Sequence, residues 1–301
     1  MKRAGELSLA RAVLERIRDG EGLLDGLPKN RKDKERLCQQ EALLISKDPE
    51  INSAVRHNLA LETLGEEFDL KDPGLDGDAE TLGIAGGILK RRWQELGQLG
   101  DLKQAAEYYR RGAVGDDLGD DAYAHINAAF LENLLAEAGD EPDERRRHAS
   151  DLRKRILRDL PVKPDNWFNA ATRAEAHVGL GLFEEATAAL RTEARPDPWE
   201  LETTARQLAT LAHIREEKPM EKPEVRRLFE TLLGGSAEAT RSALVGRVGL
   251  ALSGGGFRAS FYHLGVLARL AELDVLRNVE VLSCVSGGSI VGACYWLALR
   301  K

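Results

Sequence analysis

From Ser8 to about Gly234, apolar residues recur at intervals of three and four, so this long stretch folds as helices. Leu9, Val13, Leu14 and Ile17 form the first stripe, and further helices are predicted over Lys34–Ile45 and Ile51–Leu64. A loop rich in Pro, Gly and Asp, FDLKDPGLDGDAE, then interrupts the pattern. Beyond it, helix pairs are predicted to break at Gly100-Asp101, at Gly139-Asp140 and near Gly181, with a stop at Pro196. The turns lie 39 and then 42 residues apart, counted from 100 to 139 and from 139 to 181. A period of this length, with small residues where paired helices meet, describes helical hairpins stacked into an array. Trp93, Trp167 and Trp199 sit at helix ends and read as core anchors. Arg145-Arg146-Arg147 and Arg153-Lys154-Arg155, set among acids, read as solvated helix faces.

The pattern changes between about residues 235 and 245. Val248–Leu252 and Val279–Val285 read as buried strands, with helices from Arg258 to about Leu273 and from Ile290 to Leu299. A length of 301 residues accommodates both parts. The formal net charge of −7 gives no global attraction to nucleic acid or anionic lipid. Cys38, Cys284 and Cys294 are odd in number, lack metal-ligand spacing and read as reduced thiols of a cytoplasmic protein. The apolar run Ile290–Leu299 is too short to span a bilayer, and the N-terminal segment, with acids through its apolar pattern, reads as a helix rather than a targeting signal.

Each strand runs into a tight turn. The first is Gly254-Gly255-Gly256-Phe257-Arg258 and the second is Gly287-Gly288-Ser289-Ile290-Val291-Gly292. In parallel sheets, function gathers at the C-terminal ends of strands. A serine on a strand-to-helix bend projects its hydroxyl free of the sheet, and the helix start behind it favours developing negative charge. A glycine-rich turn on the neighbouring strand can aim backbone N–H groups at one point, as a tetrahedral oxyanion requires.

The segments SGGGFR and SCVSGGSIVGA, with the helix ASFYHLGVLARLAEL between them, resemble the start of a patatin-like phospholipase domain. That resemblance implies lipid-ester hydrolysis by a Ser–Asp dyad without metal or organic cofactor. It makes Ser289 the nucleophile, Gly254, Gly255, Gly256 and Arg258 the oxyanion motif, and Gly287 and Gly288 part of the elbow. The elbow departs from Gly-x-Ser-x-Gly, since Val291 holds the fifth position and glycine arrives at Gly292. The helical region resembles degenerate tetratricopeptide repeats, best matched at Ala174, Gly179, Leu180, Phe183 and Ala186. Its segments CQQEALLISKDPE and ETLGIAGGILKRRW are similar to the TRAFs-binding domain. The expected fold class is therefore mainly α, a tetratricopeptide-like hairpin array over residues 1–235. It is followed over 246–301 by the start of an α/β patatin-like three-layer domain. The implied partners are a lipid or acyl ester, a protein on the helical array and a transient membrane surface, with no nucleic acid.

Three other readings compete. Gly254 to Ala259 satisfies a dinucleotide-binding pattern, but Ser283, Cys284 and Val285 stand where that fold wants an acidic residue. A Walker-type loop is excluded because no Gly-Lys-Ser/Thr follows the glycines. The third is a helical interaction scaffold carrying an inactive hydrolase remnant. No Asp, Glu or His follows Ser289, His263 reads as a helix-packing residue, and Asp274 and Glu280 lie at the opposite end of the second strand. A serine without a base is a weak nucleophile. The expectation is a chain that ends before its dyad aspartate, catalytically silent by itself and leaving at least one strand edge unpaired.

Overall fold

The computed structural model describes residues 4–18, 31–115, 118, 122–161, 166–192, 196–245, 248–273, 275–276 and 279–299. The chain divides into two compact units, Met1–Leu232 and Leu233–Lys301. In the first, the helices are α1 (Ala4–Arg18), α2 (Arg31–Lys47), α3 (Ser53–Gly65), α4 (Ala79–Leu96), α5 (Leu99–Gly112) and α6 (Tyr123–Glu137). After them come α7 (Pro142–Asp159), α8 (Trp167–Gly179), α9 (Phe183–Ala189), α10 (Pro198–Arg215) and α11 (Pro223–Leu232). Side-chain caps set several starts. Asp78 accepts from the Thr81 N–H at 2.9 Å to open α4, and Asn166 accepts from the Asn169 N–H at 2.8 Å to open α8. Such caps contribute about 1 kcal/mol each.

The first turn of the array lies three residues earlier than the sequence suggested. Helix α4 ends at Leu96, Gly97 adopts φ 70° and its N–H donates to the Trp93 carbonyl. Gly100 and Asp101 instead occupy the first turn of α5, where the Asp101 carboxylate takes two bonds from Arg92, at 2.5 and 2.9 Å. With the other turns at Gly139 (φ 82°) and Gly181 (φ 80°), the true spacing is regular. It is 42 residues from 97 to 139 and 42 from 139 to 181. At each position the chain leaves a helix through a left-handed residue that glycine adopts without strain.

The hairpins are α2–α3, α4–α5, α6–α7 and α8–α9, and α4, α6, α8 and α10 pack on one another in turn. On these helices Leu82, Ile88, Leu89, Leu131, Leu135 and Leu208 are fully buried, each contributing about 2 kcal/mol by leaving water. The Tyr109 ring lies so close to Gly86 that a methyl there would meet it at 2.8 Å. Three expectations are corrected. In the first stripe Leu9 and Val13 stay exposed, although α1 forms; Trp199 is 46% exposed, with Lys47 over its ring; and Arg153 is fully buried rather than solvated. Arg153 fits because Gly179, lacking a side chain, opens the space that its guanidinium fills. Its Nη2 donates to the Ala129 carbonyl at 3.2 Å.

A buried polar lane crosses the four stacked helices. Lys90 Nζ on α4 donates to Asn127 Oδ1 at 3.0 Å and to Gln207 Oε1 at 2.8 Å, and Gln207 Nε2 donates to Glu175 at 2.7 Å. Burial pushes the Glu175 carboxyl up to about 7, opposed by the Lys90 and Arg153 cations. Burial also brings Lys90 down to about 8, opposed by Glu175. A carboxyl raised in the folded state contributes stability that is complete below its unfolded value, near 4.5, and is lost as the pH rises toward 7. Lys90 acts in the opposite window, its contribution complete above 10.5 and lost as the pH falls through about 8. Glu175→Gln is therefore expected to gain stability relative to the parent as the pH rises from 4.5 to 7. Denaturant unfolding of both proteins across that range checks this; a constant gap would contradict it.

The second unit contains α12 (Ala237–Val245), β1 (Val248–Leu252), α13 (Gly256–Glu272), β2 (Val279–Cys284) and α14 (Gly287–Leu299). The strands pair in parallel, with Leu250 opposite Leu282 and Leu252 opposite Cys284, and α13 makes the crossover. Among the described residues these are the only strands. Each therefore has one neighbour, and Val281 on β2 is half exposed. Both helices begin earlier than predicted, at Gly256 and Gly287 rather than Arg258 and Ile290, so Arg258 and Ser289 lie inside helices. No described helix is long and apolar enough to cross a membrane.

Candidate active site

Two strands of nearly equal length, paired in register to their last residues, deliver their following turns side by side. The Val285 N–H still donates to the Leu252 carbonyl at 3.0 Å, holding the second turn against the first. The chain then bends sharply at Ser286, whose φ of 52° is rare for a residue with a side chain. Its carbonyl accepts from the Ser289 N–H at 2.9 Å, and the Val285 carbonyl accepts from the Gly288 N–H at 3.0 Å. Ser286 thus stands at the mouth of α14 with its side chain exposed, where the helix dipole favours an anion.

The glycines here answer to close approach. A Cβ on Gly288 would overlap the Leu252 carbonyl oxygen and come within 2.7 Å of that of Ser253, while one on Gly287 would overlap the Gly256 carbonyl. A Cβ on Gly254 would lie 3.2 Å from Ser286 Cβ. The first turn and the elbow are therefore packed backbone to backbone, with Ser286 beside Gly254. Gly255 and Gly256 carry φ of 140° and 63° as the chain enters α13. Arg258 is exposed in the first turn of α13.

Of the residues singled out in the sequence, Gly254, Gly256, Gly287 and Gly288 are brought together by these contacts. Ser289 sits elsewhere, as the third residue of α14, half-buried, with its amide already inside the helix. Ser286 is not among the residues singled out above. Its signal is glycine two residues after the serine: Cys284-Val285-Ser286-Gly287-Gly288 keeps the closing glycine of the elbow pattern and replaces only the opening one, with Cys284. Cys284 in turn packs against Gly292, where a side chain would overlap Sγ.

His263 is buried in α13 as a packing residue, its Nε2 3.0 Å from the Ser253 carbonyl oxygen and 3.2 Å from Ser253 Oγ. Glu280 accepts from Ser242 Oγ at 3.1 Å, and Asp274 lies outside the described residues. No carboxylate or imidazole among the described residues is hydrogen-bonded to Ser286 Oγ.

Comparison with known families agrees with both resemblances. Residues 250–301 match the family described as Patatin-like phospholipase. Residues 6–132 match Tetratricopeptide Repeats-Sensor, covering the segments likened above to the TRAFs-binding domain and ending before the α8–α9 hairpin. No curated protein and no solved structure matches the chain.

Proposed function

We propose that the second unit carries the nucleophile and oxyanion site of a patatin-like serine acyl hydrolase, and that the nucleophile is Ser286. The observation that carries this is the strained bend at Ser286, φ 52°, packed against the Gly254–Gly256 turn at the ends of two parallel strands. Ser286 Oγ would attack the acyl carbonyl carbon of a lipid ester while its proton passes to a general base. The alkoxide so formed would be held by the Gly287 N–H and by amides of the first turn. Collapse of the tetrahedral species expels the alcohol and leaves an acyl-serine, which water then hydrolyses. The resemblance implies an aspartate as base, and none of the residues after Ser286 is acidic. No metal or organic cofactor enters these steps. The helical array is proposed as a protein-interaction region, in keeping with the family matched by residues 6–132.

The test is release of alcohol from a short-chain aryl ester and of fatty acid from phospholipid vesicles, using the longest product of the reading frame. Expected is turnover that a serine-directed phosphonate stops and that a chelator does not. Turnover indifferent to the phosphonate would overturn the reading. A second reading, an interaction scaffold with a silent hydrolase unit, draws on the absence, among the described residues, of a carboxylate or imidazole bonded to Ser286, and predicts no turnover at all.

A further inference from the structure

The contact between the two turns imposes a conflict that the structure resolves in a specific way. Gly287 must be glycine because its Cα abuts the Gly256 peptide. Glycine, however, is the residue least able to hold one backbone conformation. The Gly287 N–H is also the donor that follows the nucleophile and must stay aimed as charge develops on the substrate oxygen. Gly287 only opens α14, so a contact beyond the helix itself is needed to fix this residue.

We propose that Ser260, with His263 one turn later on α13, is a positioning residue that locks the elbow to the glycine turn. This rests on the reading of Ser286 as nucleophile. Ser260 Oγ lies 2.8 Å from the Gly287 carbonyl oxygen and 3.3 Å from that of Gly256 in its own helix. A hydroxyl has one proton to donate, and the shorter contact directs it to Gly287. His263 Nε2 lies 3.0 Å from the Ser253 carbonyl oxygen at the start of the other turn. One helix face thus grips both turns, and the Ser260 bond holds the Gly287 carbonyl, limiting the rotation about the Gly287 Cα that would otherwise turn this carbonyl against the donor N–H on the other side of the same Cα. Neither side chain touches the reacting atoms. Their effect is on the aim of the oxyanion donor, so it appears in the chemical step rather than in substrate binding.

The experiment compares Ser260→Ala and Ser260→Thr in the longest product of the reading frame. It measures kcat and KM for an aryl ester, the rate of phosphonate modification and amide exchange in residues 284–289. Ser260→Ala is expected to lower kcat and the modification rate together by about tenfold, with KM within about twofold, and to speed elbow exchange. Ser260→Thr, which keeps the hydroxyl, is expected to restore most of both rates. Modification of Ser260→Ala at the parent rate, or a Thr variant as slow as the Ala variant, would overturn the assignment. If the parent protein is not modified, the hydrolase reading falls instead. Elbow exchange then decides the lock by itself: faster exchange in Ser260→Ala supports it, and unchanged exchange overturns it.

Discussion

Ser286→Ala is expected to lower ester turnover by about four orders of magnitude or more, as removal of the nucleophile does in well-studied serine hydrolases. Ser289→Ala is expected to keep turnover within about tenfold of the parent, because only groups that meet the reacting atoms carry such effects. The two serines are three residues apart and share a helix start, so general damage to the elbow would affect both variants alike. What separates them is the backbone. Ser286 has φ 52° and an exposed side chain at the end of the strand, whereas the Ser289 N–H is already committed to the Ser286 carbonyl. Steady-state kinetics on both variants checks the contrast. A larger loss for Ser289→Ala would return the nucleophile to Ser289, and equal losses would mean damage to the elbow rather than removal of a nucleophile, contradicting the assignment to Ser286.

The second large effect concerns packing and uses one chemical change at two places. Gly288→Ala puts a methyl into the Leu252 and Ser253 carbonyl oxygens, which belong to the backbone of β1 and its turn and cannot swing aside. Overpacking against such neighbours costs about 3 kcal/mol. Gly265→Ala, in the interior of α13, adds a methyl that meets nothing within 4 Å. It is expected to stabilise by up to about 1 kcal/mol through helix propensity and a less flexible unfolded chain. Thermal unfolding should therefore shift in opposite directions for the two variants, with activity lost only in Gly288→Ala. Shifts of the same sign would mean that the elbow is not packed against β1 as described.

The helical array was legible because its signals are local. Three-and-four periodicity and glycine turns depend on residues close in sequence, and two of the three turns fall where they were expected, near Gly139 and Gly181. The first was misplaced because Gly97 and Gly100 both suit a helix end. In the structure Gly97 takes the left-handed cap, which leaves Asp101 in the first turn of α5 to accept from Arg92. Arg153 was misread for a related reason: a basic residue among acids signals solvent, and the opening that Gly179 provides lies on another helix. At the site, the glycine turns and the parallel pair were visible in the sequence but the serine was ambiguous. Gly287-Gly288 can be read with the serine after it or the serine before it. The proposal of Ser286 over Ser289 draws on where β2 stops, and that depends on pairing with β1, Cys284 opposite Leu252, a contact distant in sequence.

The hydroxyl presented at the strand-to-helix bend is that of Ser286, with φ 52° and an exposed side chain. The most direct measurement is to treat the longest product of the reading frame with a fluorophosphonate, digest it and locate the adduct by fragment mass within the peptide that carries Ser283, Ser286 and Ser289. A single adduct on Ser286 is expected, absent from Ser286→Ala and present in Ser289→Ala. An adduct on Ser289, or modification that persists in Ser286→Ala, would contradict it.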